Sequence, residues 1–495
     1  MKRPFSFRAP IWAPIWTTIW TSIRTSIRHS VLAVGLFAPL TPAMAAPDKP
    51  VMAHLPTVET FTLPNGLQVA FLQLDTAPVV AVQVWYHAGS KDEPRDRRGS
   101  AHMFEHMMFK GTDHVRAEAH AQMLNGIGGY VNAATDEDAT HFIDTVPASY
   151  LDFAVQLEAE RMRHLMFRKD MIDGEREVVK EEIRQRENNP IQKGVKRFME
   201  IAFTKHPYAW DAGGDLKDLD ATTGEDLRHF YDAYYEPNNA MLVVVGNTTL
   251  AAVKATAEKW FGKLAKAGDP PRPAREAQEP AQHAKRKETV APSQVGIEII
   301  GWHIPTAKDK DIYALQVASI ILGAGDSSRI KVRIKSIDPK TKKPLGLDGG
   351  MEALVHEDPG MLLGLGVYLD ATQGAALESA IYEEVDKLGA KGPASDELRK
   401  AKNQVQAAFV FGLEHAQGLA EAMGRSWINT ADPSSFLHDV DNVEKVSAAD
   451  VQRVIKQYLT QDRSTVVVIP PPGAAPPTPP AAAPSAPAAP KAGGK

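Results

Sequence analysis

Two patterns alternate along the chain. Short runs rich in β-branched and aromatic residues, over 79–86 (VVAVQVWY), 240–245 and 465–469, predict buried strands. Longer stretches with apolar residues every three or four positions predict helices over 102–110, 117–124, 148–163, 169–187 and 227–235. The apolar runs on either side of Pro64-Asn65-Gly66 predict a hairpin. Residues 267–287 are rich in Pro, Ala and charge without apolar periodicity, as expected of a linker. The same order of elements then recurs, with strands over 295–302 and 361–369 and helices over 312–322, 376–388, 396–425 and 448–458. Helices follow one another in pairs between strands, which argues against a doubly wound parallel sheet. We therefore expect two homologous α+β domains, at 46–266 and 291–469, joined by a linker over 267–290.

Both ends depart from this pattern. Arg24 and Arg28 precede a ten-residue apolar run over 31–40, and Ala43-Met44-Ala45 offers a small-x-small cleavage pattern. Residues 1–45 thus read as a secretory signal, with an apolar run well short of the ~20 residues of a membrane span. Residues 470–495 are mostly Pro, Ala and Gly, a composition that predicts a disordered tail.

In 495 residues there are 56 Lys and Arg against 61 Asp and Glu. Removing the signal takes away five basic residues and no acidic one, so a nucleic-acid-binding role is not expected. The chain has no cysteine, which excludes disulfides, thiolate metal sites and cysteine nucleophiles. An exported, mildly acidic chain without thiols suits a bacterial periplasm. Any metal must be held by histidine and carboxylate.

His102-Met103-Phe104-Glu105-His106 supplies such ligands. On a helix, residues four apart share a face, so both imidazoles can reach one cation with Glu105 beside them. This is the H-x-x-E-H order of a reversed zincin motif. Taken alone, it is also compatible with two solvated histidines. A zinc site would need a third ligand and an open position for water.

Residues 99–112 (GSAHMFEHMMFKGT) resemble the pitrilysin/insulinase family of zinc endopeptidases, the inverzincins, and more closely its short branch containing the mitochondrial processing peptidases. Residues 206–208, 234–239 and 243–246 carry further similarity. The resemblance implies a clamshell of two homologous domains around one Zn2+. It also implies Glu182, in 175–182 (EREVVKEE), as third ligand beside His102 and His106, and Glu175 as a catalytic residue that orients the site. Glu105 is the expected general base. By the same resemblance, 128–135 (GGYVNAAT) is a peptide-pairing edge strand, with Asn132, Ala134 and Phe109 contacting substrate.

The chain departs from the family in its second half. Self-sufficient members carry an Arg and, seven residues on, a Tyr that reach the substrate. Here Lys335 stands in place of the Arg, and no tyrosine lies between Tyr313 and Tyr368. The expected partners are therefore peptide substrates and a homologous subunit that supplies the Arg/Tyr pair. The expected function is zinc-dependent cleavage of short or unfolded peptides. The alternative is a zinc-carrying, non-hydrolytic subunit that binds peptides.

Overall fold

The structure, a computed structural model, describes residues 57–272, 279–339, 341–412 and 415–473. The expected signal and all but the first residues of the expected tail lie outside these.

The first half contains β1 (Glu59–Thr62), β2 (Gln68–Gln73), β3 (Val79–Tyr86), β4 (Tyr130–Thr135), β5 (Thr140–Pro147) and β6 (Ala240–Gly246). Its helices are α1 (Ser100–Met107), α2 (Ala119–Gly126), α3 (Leu151–Arg163), α4 (Lys169–Glu187), α5 (Pro190–Ala202), α6 (Leu216–Ala221), α7 (Gly224–Tyr234) and α8 (Leu250–Trp260). The second half contains β7 (Arg286–Thr289), β8 (Gly296–His303), β9 (Asp348–Leu354), β10 (Met361–Tyr368) and β11 (Thr465–Ile469). With them are α9 (Ile312–Gly323), α10 (Arg329–Lys335), α11 (Gly374–Lys391), α12 (Ser395–Gly412), α13 (Ala416–Thr430), α14 (Asp439–Lys445) and α15 (Ala448–Tyr458).

The two halves are homologous in topology. The first sheet has the order β1-β2-β6-β3-β5-β4 and the second β7-β11-β8-β10-β9. Leaving out β1, every pairing keeps its sense. β2–β6 and β7–β11 are parallel, and all the other pairs are antiparallel. The fold is thus α+β, with two related layers closed on one another as a clamshell.

Burial on both faces explains why the central strands read as unbroken apolar runs. Val80, Val82, Val84 and Tyr86 of β3 join the helices of their own half. Ala81 and Trp85 point the other way and pack against Ala420, Met423 and Trp427 of α13, a helix of the second half. The exchange is reciprocal. Phe198 and Met199 of α5, from the first half, pack on Ile297, Ile299 and Leu363 of the second sheet. Each crossing helix carries a glycine at its closest approach. A Cβ at Gly424 would stand 2.1 Å from the Trp85 ring, and one at Gly194 2.6 Å from Ile469.

Several sequence expectations change. The helix expected over 396–425 is two helices, α12 and α13. His415 takes an extended conformation before α13, which turns the chain onto the first sheet. Arg286–Thr289, inside the expected linker, adds β7 to the second sheet through parallel bonds to β11. Neither α5 nor β9 was expected from the pattern.

A buried polar junction joins the halves. Lys91 Nζ lies 2.6 Å from Asp138 Oδ1 and 2.5 Å from Glu357 Oε2. The Glu357 N–H donates to Asp138 Oδ2 at 3.1 Å, and Tyr208 Oη donates to Asp138 Oδ1 at 2.6 Å. Burial pushes the Asp138 carboxyl up, but Lys91 and His356 outweigh it and hold the group well below the carboxylate range.

Replacing Gly424 by valine should overpack the α13 crossing. We expect a loss of about 1–3 kcal/mol, read as a lower urea midpoint with both halves unfolding together.

Candidate active site

All eight residues of α1 are buried, His102, Glu105 and His106 among them. Its entry is fixed by backbone geometry. Gly99 has φ 101°, and a Cβ on Gly214 would stand 2.4 Å from the Gly99 Cα, so the two glycines let the 211–214 loop touch the start of the helix. The Glu93 carboxylate accepts from the N–H groups of Gly99 and Ala101, both at 2.8 Å, and caps the exposed amides.

The imidazoles stand edge to face, with ring centroids 5.0 Å apart. His102 Nδ1–H donates to the Gly213 carbonyl at 3.3 Å, and His106 Nδ1–H donates to Glu175 Oε2 at 3.3 Å. These contacts leave both Nε2 atoms as lone-pair donors aimed at α4. Burial, then the neighbouring His106, holds His102 well below the usual imidazole range, so it is neutral.

Glu175 and Glu182 are two turns apart on α4 and share its inner face. Glu182 Oε2 lies 3.6 Å from His102 Nε2, and Oε1 lies 3.8 Å from His106 Nε2. These separations exceed a hydrogen bond. They are close to the ~3.4 Å between ligands of a tetrahedral ion with ~2.1 Å bonds. The three donor atoms lie within 4.8 Å of one another, so the donor set fits a divalent cation such as zinc. Glu177 and Glu181 instead face outward, to Lys180 and Arg184.

Glu105, one residue before His106, is buried. Burial raises its carboxyl, partly offset by His106, the Thr135 hydroxyl beside it and Arg186. Asn132 and Ala134 lie on β4, which among the described residues pairs only with β5 and is an edge of the sheet. Phe109 is half-buried, edge-on to His120 and Phe142 and 5.1 Å from the Arg161 guanidinium. It is therefore as much part of the core as of any cleft. A second acidic group, His120 with Asp144 and Glu158, already contains a cation, because Arg161 donates to Glu158.

Four contributors escaped the sequence reading: the Glu93 cap, the Gly213 carbonyl, Lys110 and Arg186. Lys110 lies 2.8 Å from Glu175, and it could have been noticed because it sits four residues past His106. Burial pushes Glu175 up, but His106 and Lys110 outweigh it and hold the carboxylate ionised.

Comparison with known proteins gives the family. Residues 68–211 match the family described as Insulinase (Peptidase family M16), and residues 221–405 match the Peptidase M16 inactive domain. The chain is 30% identical to the zinc protease PqqE of Helicobacter pylori over 421 residues, 84% of this chain and 94% of that one. It is 26% identical to the uncharacterized zinc protease YmxG of Bacillus subtilis, over 83% of this chain and 98% of the relative. A crystal structure of a protease from Helicobacter pylori superposes with a TM-score of 0.79 at 30% identity, covering 84% of this chain and all of that one. Fold and relatives together define a zinc peptidase class. The chain belongs to the insulinase family, peptidase family M16.

Removing the Glu175 carboxylate, as in Glu175→Gln, should weaken zinc binding about 10–100-fold. Titration against a competing chelator measures this directly.

Proposed function

We propose that this chain is a zinc-dependent endopeptidase acting on short or unfolded peptides. The observation that carries the reading is the convergence of His102, His106 and Glu182, with Glu105 on the same buried helix turn. Zinc held by these three residues would lower the pKa of a water and polarise the scissile carbonyl. Glu105 would take a proton from the attacking water as its oxygen bonds to the scissile carbonyl carbon, and would return that proton to the leaving amine nitrogen as the peptide C–N bond breaks. Glu175 orients His106, and the Gly213 carbonyl orients His102. A peptide adds to β4 through backbone hydrogen bonds around Asn132 and Ala134, so recognition is broad in sequence. Phe109 contributes an aromatic wall at that edge.

We further infer that a homologous subunit completes the cleft. Lys335 is exposed, and the arginines near it are engaged: Arg329 with Glu397, Arg333 with Glu383. The flanking tyrosines are also committed. Tyr313 donates to Asp439, and the Tyr368 ring is buried against Gly296. The leader-like segment supports a periplasmic site of action. Among the described residues, no helix is long and apolar enough to cross a membrane.

Glu105→Gln should lower kcat for a quenched fluorescent peptide by at least about 100-fold, with zinc content retained by elemental analysis. Unchanged cleavage would instead favour a non-hydrolytic peptide-binding subunit. Purification from the native host should yield a second, homologous chain lacking the histidine motif. Full peptidase activity from a monomer would exclude that partner.

A further inference from the structure

Among the strands, α13 packs mainly on β3 and β6, and α5 packs mainly on β11 and β8. In each sheet the edge strand, β4 or β9, therefore lies beyond the covering helix. Both edges start from the junction between the halves. β4 ends at Thr135, three residues before Asp138, and β9 ends at Leu354, two before His356. His356 Nδ1 lies 3.4 Å from Asp138 Oδ2. Four residues back from this contact along each chain stand Ala134 on β4 and Glu352 on β9.

Glu352 faces the first half. It pairs in register with Leu363, and Leu363 pairs with Gly301. Gly301 lies against Phe198 of α5, and Leu363 packs in the same cluster. Residues directly opposite in a sheet share a face, so the Glu352 side chain projects on the α5 side. The residue is half-buried, yet its Oε2 is closed to solvent and has no hydrogen-bond partner among the described residues. Burial alone pushes the carboxyl up to about 7, with no neighbouring charge acting on it. A carboxylate in such a place is costly until a cation joins it. Leu354 and Leu363 beside it would suit the methylenes of a long basic side chain. Glu105 stands beside Thr135, at the end of β4 that leads to the Asp138 junction.

Building on the peptidase reading, we propose that Glu352 is a specificity residue. It receives the cationic side chain of a lysine or arginine from a peptide bound along β4, close to the scissile bond. The test uses peptide pairs that differ only by lysine or norleucine, scanned position by position. kcat/KM is measured on the zinc-loaded chain with any subunit that co-purifies. At one position the wild type should favour lysine by about tenfold or more, the scale of one charge-assisted contact. Glu352→Gln should bring that ratio close to one, and Glu352→Lys should turn the preference toward a glutamate-containing peptide. Each ratio is internal to one protein, so a partly destabilised variant does not distort it. No lysine preference at any position in the wild type, or a preference that survives Glu352→Gln, overturns the proposal. If the wild type cleaves none of the peptides, the peptidase reading falls separately. Fluorescence anisotropy with the same labelled pairs then decides the role of Glu352, because a lysine advantage in binding that Glu352→Gln removes supports it and equal binding overturns it.

Discussion

Burying α1 is the constraint on which the site depends. A helix with two imidazoles and a carboxylate cannot enter an apolar core unless each polar group finds a partner there. His102 finds the Gly213 carbonyl and His106 finds Glu175, while the helix N terminus finds Glu93. These partners come from the 211–214 loop, from α4 and from the stretch preceding α1. Each is therefore held in place by the need to satisfy the same short helix. The consequence is chemical: with both Nδ1 atoms occupied, the two Nε2 atoms are turned toward Glu182.

The second organising feature is the reciprocal crossing of α5 and α13. Each sheet has one face covered by its own helices and the other by a helix from the opposite half. An ordinary two-domain chain could open by hinging about a linker. Here a wide opening would strip Trp85 from α13 and Phe198 from β8, exposing large apolar surfaces. The polar junction around Asp138 adds a fixed vertex from which β4 and β9 leave. The cleft walls are thus set by packing, and their spacing is a property of the whole fold.

Much of this was legible in the chain. The 169–187 helix coincides with α4, and the strand over 79–86 coincides with β3, because long amphipathic and β-branched runs leave little choice. The repeat of elements anticipated the duplicated topology. The misses have physical causes. β9 (DGGMEAL) is rich in glycine and has no alternation to betray a strand; its pairing to β10 defines it. The break between α12 and α13 is invisible to periodicity because both pieces are amphipathic. α13 must leave the line of α12 only because the first sheet needs a cover.

The sequence by itself determined the donor chemistry. Histidines four apart with a glutamate between them, no cysteine anywhere and a glutamate pair seven apart are facts of composition and spacing, and helical geometry turns them into shared faces. Only the tertiary structure decided that α1 and α4 meet with Nε2 atoms facing a carboxylate, that Lys110 and Gly213 support them, and that Glu352 is turned toward the α5 side of its sheet. Those relations join residues tens to hundreds of positions apart. They depend on how buried faces pack, which no local pattern encodes.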